Sequence, residues 1–134
     1  MLGRARATST RREAGFSLVE LLVVIVLMGL VMAIAIPVFL NQRRTGFDTG
    51  VKTDLRNAAG IEENWLTETG TYTSSIANLK SDGFHYGDAS NYAGSTATIT
   101  ATFTGGNKFC LTATSKSGTT FRFTDANEYV SVCP

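Results

Sequence analysis

The sequence predicts an α+β fold in which one long N-terminal helix packs on a small antiparallel sheet of three to four strands. Three observations carry this expectation. Residues 16–40 hold a single charged side chain, Glu20, among 25 positions. Residues 47–65 then place apolar side chains at helical spacing. From residue 96 onward the apolar period drops to two, with turn residues between short runs.

At the helical rise, residues 16–40 reach roughly 37 Å, more than the ~30 Å needed to cross a hydrocarbon core. Without this run the chain is polar and rich in Thr, Ser, Gly and Asn, so residues 41–134 bury only a modest core. Phe47, Val51, Leu55, Ala58, Ile61 and Trp65 form one face of a helix continuing to about Glu68. Trp65 is expected in the core. Asp48, Lys52 and Arg56 lie off this stripe and are expected in solvent, where Arg43, Arg44, Lys52 and Arg56 make a weak basic strip. Gly46, Gly50 and Gly60 are candidate sites of local breaks.

Thr69-Gly70-Thr71-Tyr72 ends the helix. Residues 70–95 read as a connecting loop with Ile76 and Leu79 packed beneath it and a short helix near Ser75–Lys80. Ala97, Ile99, Ala101 and Phe103 alternate with threonines as a first strand, before a turn at Gly105-Gly106-Asn107. Phe109, Leu111 and Ala113 mark a second strand, Ser115–Gly118 a turn, and Phe121 and Phe123 a third strand. Asp125-Ala126-Asn127 turns the chain before a last strand over Glu128–Val132. Short strands joined by tight turns predict an antiparallel meander, and a helix against such a sheet is α+β.

Charge is unevenly placed. Residues 1–15 carry Arg4, Arg6, Arg11 and Arg12 against Glu13, a net of +3, whereas the whole chain has a formal charge of +1. The body is therefore mildly acidic and shows no strong nucleic-acid footprint. Enzyme chemistry finds little support. His85, the sole histidine, sits in a Gly- and Asp-rich loop and reads as solvated. No Cys/His cluster has zinc spacing, and Gly105-Gly106 lacks the context of a phosphate loop. Asp125, Asn127 and Glu128 read as a polar turn before they read as a calcium site. No catalytic residue, cofactor or metal ligand is assigned, and a non-enzyme is expected.

Three readings compete for residues 1–40. A secretory signal finds a small-x-small site at Ala33-Ile34-Ala35, but the apolar run continues past it. An ordinary transmembrane anchor leaves Glu20 unexplained, since an isolated intramembrane carboxylate costs roughly 2.5–3.5 kcal/mol on insertion scales. The third reading is a leader cut before Phe16, which puts a new amino group one helical turn from Glu20, where the two charges compensate. The four arginines before the run favour a cytoplasmic leader, although Arg43-Arg44 follow it.

Gly15-Phe16-Ser17-Leu18-Val19-Glu20-Leu21-Leu22-Val23-Val24-Ile25 resembles the prepilin signature of type IV pilins and related pseudopilins, and the likeness extends over residues 15–40. The resemblance implies a pilin-like fold with a leader over residues 1–15, a transmembrane and polymerisation helix over 16–40 and an exported domain over 41–134. It implies cleavage by a prepilin peptidase between Gly15 and Phe16, N-methylation of Phe16, and a docking role for Glu20 in assembly. Pro37 matches the proline that kinks the family's helix, and the stretch from Gly29 to Pro37 is expected to lose helicity in filaments.

Two cysteines in an exported domain suggest a disulfide, with two free thiols as the alternative. Cys110 is out of phase with Phe109 and Leu111, so a bond to Cys133 would tether the tail to the sheet's outer side. The resemblance implies this pairing, as a C-terminal disulfide bounding a surface loop. Implied partners are other pilin subunits in a homopolymer, the peptidase, the pilus assembly machinery, the membrane before assembly, and DNA or surfaces contacted by the filament. The implied location is the cytoplasmic membrane, then a cell-surface pilus. The expected function is a structural pilus subunit; a pseudopilin of a type II secretion or DNA-uptake machine is the first alternative, and a membrane-anchored or secreted binding module the second.

Overall fold

A computed structural model describes residues 15–103 and 107–133. The leader ahead of Gly15 and the Gly105-Gly106 turn lie outside them. Helix α1 spans Leu18–Thr69, followed by α2 over Ile76–Ser81 and two short 3-10 turns at Ala89–Asn91 and Ala93–Ser95. Strands β1 (Thr100–Phe103), β2 (Phe109–Thr114), β3 (Thr120–Thr124) and β4 (Tyr129–Val130) form one antiparallel sheet in the order β1-β2-β3-β4. The α+β expectation and the meander are both observed. The chain divides after Pro37 into two compact units, and each is described by itself.

In the second unit, Val51, Leu55, Ala58 and Ala59 of α1 share one core with Leu79, Phe84, Tyr92, Ile99 and the inward residues of β2 and β3. The second half of the helix is thus amphipathic and covered by the sheet, as its spacing predicts. It ends where predicted: Gly70 adopts φ +81° and its N–H returns to the Leu66 carbonyl at 2.8 Å, a left-handed cap that glycine adopts without steric cost. Phe109, Leu111 and Ala113 are all buried, and Leu111 lies opposite Ala101 and Phe123.

Several expectations require correction. Gly46, Gly50 and Gly60 do not break α1. Gly50 instead admits a neighbour, because a Cβ there would lie 2.3 Å from Asn91 Nδ2. Trp65 is only half-buried and stays outside the core, whose helical stripe runs through Ala58, Ala59 and Glu62 instead. The first strand begins at Thr100 rather than Thr96, since the Ile99 N–H is taken by the Tyr86 hydroxyl at 3.1 Å. Phe103, the last residue of β1, remains 44% exposed. The final strand has two residues; beyond it Arg122 Nη1 donates to the Ser131 carbonyl at 2.8 Å.

Lys52 is only half-exposed, while Arg56 is solvent-exposed as expected, and both cations also lie against aromatic rings. The Lys52 ammonium lies 4.7 Å from the centre of the Phe121 ring, and the Arg56 guanidinium 5.4 Å from that of Tyr129, within cation–π range. Tyr129 is itself tied to α1 by its hydroxyl, which donates to the Lys52 carbonyl at 2.9 Å. Asp48 likewise accepts a hydrogen bond from the Ser117 hydroxyl. The solvent side of the predicted helix is partly a contact surface, because the β3–β4 end of the sheet and the β2–β3 turn reach around it.

Candidate assembly site

Residues 15–37 form the first unit's described part. The Leu21 N–H donates to the Ser17 carbonyl at 3.1 Å, closing the first turn of α1. Glu20 falls in that turn, where a negative charge complements the unsatisfied N–H groups of a helix start. Phe16 is 78% exposed, and Leu18 to Ile36 present exposed apolar side chains on every side of the helix. A helix apolar all round is stable in water only when lipid or other protein covers it. This one is long and apolar enough to cross a membrane. Fully burying one such Val, Leu or Ile side chain contributes about 1.5–3 kcal/mol. Several of them outweigh the cost of carrying Glu20 with them.

Gly15, Phe16, Glu20, Gly29 and Pro37 all lie in or beside this one apolar segment. Gly29 and Pro37 stand inside continuous α-helix in the single subunit. Pro37 has no N–H to offer the Ala33 carbonyl, a built-in missing rung. A Cβ on Gly29 would meet nothing within 4 Å among the described residues, so no contact with them requires glycine there.

The remaining predicted site residues belong to the second unit. Cys110 and Cys133 form a disulfide with a Cα–Cα separation of 5.7 Å across 23 residues. Cys110 is fully buried although its phase places it on the outer face of the sheet, because the tail covers that face; Thr112 Oγ1 lies 3.6 Å from Cys133 Sγ. His85 is exposed, with Nδ1 2.8 Å from the Gly83 carbonyl, a local loop contact. Asp125 and Asn127 stand in the β3–β4 turn, where Asn127 adopts φ +58°. Among the described residues, no group of three acidic, histidine or cysteine side chains is placed to hold a metal.

Two buried carboxylates on α1 escaped sequence reasoning. Asp54, 4% exposed, accepts the Gly87 N–H on both oxygens at 3.1 and 3.0 Å, and the buried Tyr92 hydroxyl at 2.6 Å. Burial and this bond together push the Tyr92 phenol well above its ordinary range. Glu62, fully buried, accepts the Thr73 N–H at 3.0 Å through Oε2, while its Oε1 has no partner among the described residues. Burial raises its pKa, partly offset by the Thr73 bond and reinforced by Glu63. Together they pin both ends of the segment between helix and sheet. Their signal was positional: 54 and 62 fall on the same helical stripe as Val51, Leu55, Ala58 and Ala59.

Comparison with known proteins agrees with this arrangement. Residues 10–36 match the prokaryotic N-terminal methylation motif. The chain is 31% identical over 109 residues to the type IV wide pilus major component PilA4 of Thermus thermophilus, covering 81% of this chain and 79% of that relative. The chain belongs to the type IV pilins. It is a structural subunit of a type IV pilus, and subunits of this family assemble into pilin polymers. The disulfide-closed sheet belongs to the globular domain.

Proposed function

We propose that this pilin is synthesised with a leader that a prepilin peptidase removes between Gly15 and Phe16, and that the new Phe16 amine is N-methylated. The helix over residues 16–40 holds the subunit in the cytoplasmic membrane with residues 41–134 exported. The assembly machinery then moves it into a homopolymeric filament on the cell surface, where the exported domains meet DNA or solid surfaces. The observation that carries this reading is an apolar helix exposed on all sides with one carboxylate a single turn from Phe16. An α-amino group, with an ordinary pKa near 8, is cationic at neutral pH. Glu20 of one subunit pairs with that amine on a neighbour, so each joint in the apolar filament core neutralises two charges at once.

Gly29 and Pro37 bound the stretch that loosens in the filament, since both weaken the helical ladder. Mass spectrometry of the mature protein tests the processing: an N-methylated Phe16 is expected, and a chain starting at Ile36 or an intact leader would overturn it. Glu20→Ala should abolish filaments while leaving peptidase cleavage intact; wild-type filament yield in that variant sinks the docking role. Helix continuous from Gly29 through Pro37 in a filament reconstruction would refute the loosening.

A further inference from the structure

Just beyond the apolar run, Leu40, Arg43, Arg44, Phe47, Lys116 and Ser117 line an open cleft of about 290 Å³. Two cations share one ring there. The Arg43 guanidinium lies 5.4 Å and the Lys116 ammonium 5.6 Å from the Phe47 centroid. They come from different elements, α1 and the β2–β3 turn, and that turn is held in place by Lys116 N–H donating to the Asn91 carbonyl at 2.7 Å. Arg44 adds a third cation on the rim.

Among the described residues, Arg43, Arg44 and Lys116 form no salt bridge, and the three cations outnumber the two carboxylates near them, Asp48 and Asp88. Asp48, which accepts a hydrogen bond from the cleft-lining Ser117 hydroxyl, places its negative charge beside the cleft, so it offsets one of the three cations. Asp88 feels Lys116, but its carboxyl is held below the usual range chiefly by hydrogen bonds from Ser90, with Lys116 a smaller influence. Bringing like charges to one ring without an anion between them is unfavourable, and an incoming anion relieves it. The walls are matched to a particular kind of anion. Leu40, the last residue of the apolar run, and Phe47 provide an apolar side, while the cations form the other. The cleft therefore begins where the hydrocarbon layer ends and headgroups begin.

We propose that this cleft binds the phosphodiester headgroup of an anionic phospholipid and seats the membrane-stored pilin at a defined depth before assembly. This rests on the membrane placement proposed above. Arg43 and Arg44 supply planar donors for the phosphate oxygens. Lys116 closes the site from the sheet side, and the glycerol region of the lipid lies against Leu40 and Phe47. Extraction into a filament then requires the subunit to release its lipid.

The test uses the full chain in nanodiscs containing equal phosphatidylglycerol and phosphatidylcholine, with retained lipid counted by native mass spectrometry. Wild-type protein is expected to retain phosphatidylglycerol preferentially. Lys116→Gln should lower that preference about fivefold, the effect of one cation near an anionic surface, and R43Q/R44Q/K116Q should abolish it. Arg56→Gln, which removes a cation outside the cleft, should leave it unchanged and so separates a site from overall charge. Lys116→Gln behaving as wild type would reduce the site to two ordinary interfacial arginines and overturn the proposal. Displacement of the lipid by excess inorganic phosphate would also overturn it, as a free-anion site. Loss of filaments in the triple variant with undiminished phosphatidylglycerol retention would assign the cations to a neighbouring subunit instead. Failure of the protein to insert at all would be read separately, by flotation, and would count against the membrane placement rather than the cleft.

Discussion

Replacing Asp54 by Ala tests whether a buried carboxylate holds the segment between helix and sheet. Asp54 is 4% exposed and its two oxygens accept one backbone N–H and one buried phenol. Truncation leaves the Gly87 N–H and the Tyr92 hydroxyl without a partner, and Tyr92 is only 1% exposed. The orphaned, buried Tyr92 hydroxyl costs about 1–3 kcal/mol, whereas Gly87 is exposed and its N–H can turn to water, so Asp54→Ala should destabilise the domain by roughly 2–3 kcal/mol. That is a large part of the ~5–15 kcal/mol that holds a domain of ordinary stability together. Tyr92→Phe removes one partner but leaves the carboxylate bonded to Gly87, and should cost about 1.5–3 kcal/mol. The double variant should cost less than the two singles together, with a coupling energy of about 1–3 kcal/mol. Urea unfolding of the detergent-solubilised chain, followed by Trp65 fluorescence, reads all three. Hydrogen exchange at the Gly87 amide reads the latch directly and should accelerate in Asp54→Ala. A loss below ~0.5 kcal/mol, within the ordinary range of a surface substitution, together with unchanged Gly87 exchange would refute the reasoning.

The remaining predictions concern the disulfide and two titrating groups. The bond between Cys110 and Cys133 closes a loop with a sequence separation of 23, so the paired Cys→Ser variant should lose about 3 kcal/mol in the chain-entropy model. Proteolysis within residues 111–132 should rise while helical circular dichroism stays constant; unchanged cleavage would count against the tether. Burial raises the Glu62 pKa above 4.5, so the folded chain holds its proton longer than the unfolded one. Wild-type stability therefore falls as pH climbs from about 4.5 through that higher folded value. Glu62→Gln should gain on the wild type across this window and match it at lower pH; a constant difference at every pH would contradict this. Tyr72, desolvated and bonded to Glu63 at 2.9 Å, has its pKa pushed up to about 12. Its phenolate absorbance should appear well after that of an ordinary tyrosine, the Tyr72→Phe difference spectrum supplies the assignment, and folding should weaken between pH 10 and 12.

Much of this pilin was legible because its decisive features are local in sequence. The apolar run, the lone Glu20 and the motif at Gly15 and Phe16 need no knowledge of distant contacts. The helical stripe through Val51, Leu55 and Ala58, the Gly70 stop and the alternation along β2 were equally readable, since backbone geometry sets the periods of 3.6 and two. Errors clustered where partners come from far along the chain. Trp65 carried the right spacing, yet the covered stripe passes beside it. Lys52 was expected in solvent and is half-covered, because Phe121 and Tyr129 lie more than sixty residues later in sequence and only folding brings those rings over it.

By itself, then, the sequence determined that the chain has an apolar helix with a charge at its start and a polar sheet domain behind it. These follow from composition and spacing over short stretches. The tertiary structure alone decided that Asp54 and Glu62 face inward, that the tail covers Cys110, and that Arg43 and Lys116 meet over Phe47. Each of those depends on which surface a long-range contact covers. A residue's environment, unlike its position in a periodic pattern, is set by whatever the fold places opposite it.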